Sequence, residues 1–162
     1  MLKFFDNAIV FKEVPNEISL AINITNCPLH CKGCHSPWLW DDVGEELTEE
    51  ILLNLTKQSQ GISCILFLGG DNSYSDVRKF AKFVKSLGLK FAWYSGRNII
   101  PVSDLKYFDY IKIGQYEEAL GGLDKITTNQ RFFKVNKVRG NNSDNIYYSL
   151  QDLTSEFQKR KE

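Results

Sequence analysis

Hydrophobic and polar positions along the chain switch between two periods. From Ile18 to Thr25 the period is two. Ile18, Leu20, Ile22 and Ile24 fall on one face, and Ser19, Ala21, Asn23 and Thr25 on the other, which predicts a strand. Thr48-Glu49-Glu50 then reads as a helix start, a Thr cap followed by two acids in the positive first turn. Ile51, Leu52 and Leu55 supply its apolar side, and Gly61 a stop. Cys64-Ile65-Leu66-Phe67-Leu68 is apolar throughout and ends at Gly69-Gly70, as a strand covered on both faces of a parallel sheet would. Val77, Phe80, Ala81, Val84 and Leu87 return to helical spacing before Gly88.

The second half continues the alternation with weaker signals. Short strands are expected at 91–94, ending at Ser95-Gly96, and at 110–113, ending at Gly114. Residues 114–128 hold turn clusters without periodicity and read as an irregular excursion. Residues 131–138 read as a strand and 145–159 as a closing helix. Repeated strand-helix units predict an α/β fold with a mostly parallel sheet. With 162 residues, the chain falls short of the about 250 that eight full units need. The expectation is therefore an open, partial (β/α) barrel forming one domain over 1–162.

Charge narrows the list of partners. Lys plus Arg equals Asp plus Glu, the net charge is zero, and no basic stripe stands out, so no nucleic-acid partner is expected. No apolar stretch approaches membrane-spanning length, and Met1 to Phe11 lacks the features of a secretory signal. A cytoplasmic location without membrane attachment is the expectation. Four cysteines in such a chain read as metal or redox ligands rather than disulfides.

Three of them stand together as Cys27-Pro28-Leu29-His30-Cys31-Lys32-Gly33-Cys34. Three thiolates can hold three irons of a four-iron, four-sulfur cluster and leave the fourth open to a small molecule, whereas clusters that only carry electrons are normally closed by four cysteines. The competing reading is structural zinc, with His30, His35 or Cys64 as a fourth ligand. Cys64 itself reads as a small buried hydrophobe. In parallel α/β folds ligands gather at the C-terminal strand ends. The cysteine loop, Gly69-Gly70-Asp71, Ser95-Gly96 and Gly114 all follow expected strands and should share one edge. There Gly69-Gly70 would let backbone approach a ligand closely, and Asp71 would favour an ammonium.

These residues resemble the radical S-adenosylmethionine (SAM) superfamily. More narrowly, Cys31-Lys32-Gly33-Cys34-His35, Leu68-Gly69-Gly70-Asp71, Trp93-Tyr94-Ser95-Gly96 and Thr127-Thr128-Asn129-Gln130-Arg131 are similar to the activating enzymes of anaerobic (class III) ribonucleotide reductase. The resemblance implies that Cys27, Cys31 and Cys34 ligate a [4Fe-4S] cluster and that SAM chelates its open iron. It also implies that Gly69, Gly70 and Asp71 hold the methionine amine, that Ser95 contacts the ribose or carboxylate, and that His35 lies near the adenine.

Beyond the cluster ligands, no catalytic residue is implied. Reductive cleavage of SAM would give a 5′-deoxyadenosyl radical, which takes a hydrogen from a glycine of the reductase large subunit. The implied electron donor is a low-potential protein such as flavodoxin or ferredoxin. The chain departs from the pattern at Gly33, where the superfamily usually has an aromatic residue, and at Asp71-Asn72, where Glu and often Pro stand. It departs again at Ile113, where many activases have an acid. A radical-SAM enzyme acting on a small molecule is the rival reading within the superfamily.

Overall fold

The computed structural model describes residues 1–142 and 144–159. Its elements in chain order are β1 (Lys3–Val10), β2 (Ser19–Ile24), β3 (Glu45–Glu46), α1 (Glu49–Gln58), β4 (Cys64–Leu68), α2 (Tyr74–Ser86), β5 (Lys90–Tyr94), β6 (Tyr110–Ile113), β7 (Arg131–Arg139), β8 (Ile146–Asp152) and α3 (Thr154–Gln158), with short 3-10 turns at Pro37–Trp40 and Val102–Tyr107. All eight strands form one sheet in the order β3-β1-β2-β4-β5-β6-β7-β8. The sheet does not close on itself; β3 and β8 are its edges.

Its centre is parallel: β2 pairs with β4, β4 with β5 and β5 with β6 in the same direction. These are the strands whose apolar runs the sequence marks, and Leu20, Ile22, Ile65, Phe67, Phe91, Trp93 and Ile111 are buried. Each fully buried side chain of this kind contributes roughly 1.5–3 kcal/mol. α1 and α2 cover one face, where Leu52, Val77, Phe80, Ala81 and Val84 pack against that set. The Thr48 hydroxyl caps α1 by accepting from the Ile51 N–H at 3.1 Å, a contact worth about 1 kcal/mol. The other face has small residues, Ala21 and Ala92 among them, and among the described residues it is packed by Val10, Val14, Leu123, Leu153 and Phe157, mostly from loops and the short α3. That lightly covered face leaves room for cavities.

The expected parallel sheet is present at the centre, and the flanks add antiparallel strands to it. β1, β3, β7 and β8 all pair antiparallel, so the sheet is mixed. β6 ends at Ile113, and β7 begins at Arg131, directly opposite it. The excursion between them leaves and re-enters at one sheet edge, which can only deliver an antiparallel strand. The expected closing helix is overturned. Residues 146–152 are β8, and only Thr154–Gln158 is helical. Ile146, Tyr148 and Leu150 alternate with Tyr147, Ser149 and Gln151, the period of a strand, and β7 supplies a partner along the whole length. β1 is a strand that the sequence reading missed, since most of it is exposed and its register with β2 shifts between Phe4 and Asn7.

Candidate functional site

The C-terminal ends of β2, β4, β5 and β6 meet at one edge, as their directions require. Directly after β2, the segment 26–36 doubles back through left-handed backbone at Asn26 (φ 59) and His30 (φ 45). It is anchored to the 3-10 turn that follows: Asn26 N–H donates to Asp41 O and Cys27 N–H to Leu39 O. The result is that Cys27, Cys31 and Cys34 line one cavity of about 220 Å³ together with Gly69, Asp71, Ser95, Gly96 and Lys112. Ser36 N–H donates to Cys34 Sγ at 3.4 Å, a contact of the kind that tunes iron–sulfur sites. Trp40 is half-buried in the same wall and stacks on His30, ring centroids 5.0 Å apart; Trp38 is exposed.

Among the described residues no three His, Cys, Asp or Glu side chains come together closely enough to ligate a single metal ion. Ligands to separate irons of one cluster need not converge on a point, so three thiols around a common cavity suit a cluster. Burial holds the Cys27 thiol above its usual range, reinforced by Asp71 and the other two thiols. A cationic iron core would reverse that balance and release the protons. Cys64 lies at the opposite end of β4, fully buried, with its thiol pushed up to about 12 by desolvation. It belongs to the core.

The Gly69-Gly70-Asp71 turn is held on both sides. Gly69 and Gly70 take φ of +95° and +102°, in the region that favours glycine. Gly69 N–H donates to Tyr94 O at 3.1 Å and its carbonyl accepts from Trp93 Nε1 at 2.8 Å. Gly70 stands outside the cavity wall, and its carbonyl accepts from Ser73 N–H. The Asp71 carboxylate reaches across to the end of β5, where it accepts from Ser95 Oγ at 2.5 Å and Gly96 N at 2.9 Å, with Arg97 Nε 3.4 Å away. Two hydrogen bonds thus engage its acceptor sites, and the Arg97 guanidinium stands in ion-pair range without hydrogen-bonding through Nε. Gly96 matters for a second reason: a Cβ there would sit 1.9 Å from Leu29 Cδ1. The cysteine loop therefore rests on the β5 turn through Leu29, whose side chain would have to move to admit a Cβ at Gly96.

His35 faces elsewhere. It lines a neighbouring cavity of about 610 Å³ and tilts against Tyr116 at 5.4 Å. The two cavities share Cys34, Ser36, Tyr94, Lys112 and Tyr116 as a common wall. Lys112 is the residue that sequence reasoning passed over. It is buried near the end of β6, and its ammonium donates to Gly114 O at 2.9 Å and Ser95 O at 3.3 Å. Burial lowers it to about 8, opposed by the negative charge of Asp71 and the three thiols. A lysine inside the otherwise apolar Tyr110–Ile113 run was the available signal. Asn129, Gln130 and Arg131 brace the excursion by donating to backbone: Asn129 to Gln115 O, Gln130 to Gly114 O, and Arg131 to the carbonyls of Thr128 and Gln130.

A family model described as a 4Fe-4S single cluster domain matches residues 18–134, which contain the cysteine loop and all four parallel strands. The chain belongs to this family, which is found in radical-SAM-type proteins. No curated protein matches the chain. Membership favours iron and sulfide over zinc for the cysteine triplet. Among the described residues no helix is long and apolar enough to cross a membrane.

Proposed function

We propose that this member of the 4Fe-4S single cluster family is a radical-SAM activase that installs a glycyl radical on the large subunit of an anaerobic ribonucleotide reductase. The observation that carries the reading is the shared wall. Three thiols and the ends of three further parallel strands line one cavity, and that cavity adjoins a larger one. Cys27, Cys31 and Cys34 would hold three irons of the cluster. Bound together, cluster and SAM supply one-electron cleavage of a sulfonium, which yields an oxidant strong enough to take hydrogen from a peptide glycine. The open sheet, with its lightly covered face, supports a radical-SAM partial barrel that leaves a protein loop access to the site.

The chain's own groups would bind and orient. Asp71, fixed by Ser95, Gly96 and Arg97, would accept from the methionine amine of SAM, and the Gly69-Gly70 turn holds it at that height. Ser95, almost wholly buried in the cavity wall, acts through Asp71 as well as toward the ligand. His35 and Tyr116 offer ring faces for the adenine on the side of the larger cavity. Cytoplasmic location and a flavodoxin- or ferredoxin-type donor belong to the same reading.

A cavity of about 610 Å³ also falls in the range of small-molecule sites, roughly 300–1,000 Å³. That favours, as a second reading, a radical-SAM enzyme whose substrate is a small molecule. One experiment separates the two. The reconstituted, reduced chain is mixed with SAM and candidate anaerobic reductase large subunits, and 5′-deoxyadenosine and EPR spectra are recorded. The activase reading expects both the nucleoside and a glycyl-radical doublet. Nucleoside without a doublet from the cognate subunit would replace it with the second reading.

A further inference from the structure

We propose that Lys112 is an electrostatic positioning residue that raises the reduction potential of the iron–sulfur site. The proposal rests on the cluster reading above and concerns what the chain itself contributes to that cluster. β6 is a central strand, and a lysine there keeps only 9% of its surface exposed. Burying an ammonium costs several kcal/mol unless partners offset it. Two backbone carbonyls, Gly114 O and Ser95 O, take two of its three N–H groups. No salt bridge engages Lys112 among the described residues, in contrast to Lys90, which is paired with Glu17.

The remaining compensation comes from the cavity side. Lys112 lines the thiol cavity and the larger one alike. Asp71 favours its charged form, as do Cys31, Cys27 and Cys34 once they are thiolates. A cluster held by three thiolates is anionic, and accepting one electron from a low-potential donor adds one further negative charge. A fixed cation beside it stabilises the reduced form more than the oxidised form. The effect is strong because burial weakens solvent screening, and net local charge is a recognised lever on cluster potential. The backbone bonds to Ser95 and Gly114 fix the ammonium in place, so the stabilisation needs no rearrangement on reduction.

The test is an EPR-monitored redox titration, with dithionite as reductant, of the reconstituted full chain and three variants: Lys112→Met, Lys112→Gln and Lys112→Arg. Iron content and visible absorbance establish loading first. At a fixed solution potential, the neutral variants should show a reduced-to-oxidised ratio at least tenfold below wild type, equivalent to about 59 mV for one electron. Lys112→Arg should stay within threefold. Loaded Met and Gln variants with wild-type potentials would overturn this inference alone. A wild-type chain that binds no cluster would overturn it together with the reading beneath it. If both neutral variants lose a cluster that Lys112→Arg retains, Lys112 is needed to hold the cluster rather than to set its potential, and the inference is overturned.

Discussion

At the N-terminal ends of β4, β5 and β6 the carboxylate of Glu17 accepts hydrogen bonds from Ser63, Lys90 and Tyr110. At the C-terminal ends of the same strands the ammonium of Lys112 has two carbonyl oxygens and no direct ion pair among the described residues. Both groups are buried, but only the first is matched. Burial by itself would raise Glu17; the bonds from Lys90, Ser63 and Tyr110 outweigh it and hold the carboxyl below its usual range. At Lys112 burial wins and the ammonium is weakened. One end of the sheet closes the fold over the 11–18 loop. The other keeps charge, thiols and open volume together, the condition expected of a place built to receive something charged.

The comparison breaks most visibly at the cysteines. Replacing Cys27, Cys31 or Cys34 with Ser should abolish cluster loading, read by iron content and visible absorbance, while leaving the far-UV CD of the unloaded chain unchanged. Cys64→Ala should do the reverse, keeping the cluster at a stability cost of about 1 kcal/mol. Equal loss of cluster in all four would erase the distinction between the two ends.

The next effect belongs to the closed end. Glu17→Ala should cost about 2 kcal/mol in urea unfolding, mainly from the stranded Tyr110 hydroxyl and Ser63; Lys90 is half-exposed and contributes little. Because folding lowers the Glu17 pKa from 4.5, its contribution is complete above that value and lost as pH falls below it. Glu17→Ala should flatten that acid limb without changing cluster loading.

Lys112 has the same sign of slope in a higher pH window, although at neutral pH its charge opposes folding where that of Glu17 supports it. Its folded value of about 8 lies below the 10.5 of the unfolded chain, so between these values the unfolded state binds more protons and stability rises with pH. The unloaded protein should gain stability from pH 8 toward 9; above that the raised Cys64 and Cys27 thiols, and beyond 10 the raised Tyr74 and Tyr110, work against it. Lys112→Met should remove the rise; an unchanged rise would assign it to another group.

The smallest change tests how the cysteine loop seats on the sheet. Gly96→Ala puts a methyl group where Leu29 Cδ1 lies. Because that atom is the end of a flexible side chain, the unloaded chain should lose under about 1 kcal/mol, but cluster occupancy should fall. Leu29→Ala in the same chain should restore it, and failure to do so would remove this contact from the account.

How much of this the sequence displays depends on whether a residue's signal is local. β4 stands out because Cys64–Leu68 is apolar without interruption, and α1 because Thr48 and its two acids mark a start. The cysteine triplet is legible for the same reason, with its ligands seven residues apart at most. β8 was misread because Tyr, Leu and Ile suit either period until β7 supplies a partner. The bonds of Asp71 are not legible, since Ser95, Gly96 and Arg97 lie more than twenty residues away. Lys112 shows locally as a charge within Tyr110–Ile113, but its bond to Ser95, seventeen residues away, and its place between two cavities come from the fold.

The central claim, three thiols holding a cluster with one iron left open beside Asp71 and Lys112, is tested most directly by EPR of the reconstituted, reduced chain before and after addition of SAM. The account predicts a [4Fe-4S] signal that shifts when SAM is added. A cluster signal indifferent to SAM, or no cluster in the correctly folded chain, would contradict it.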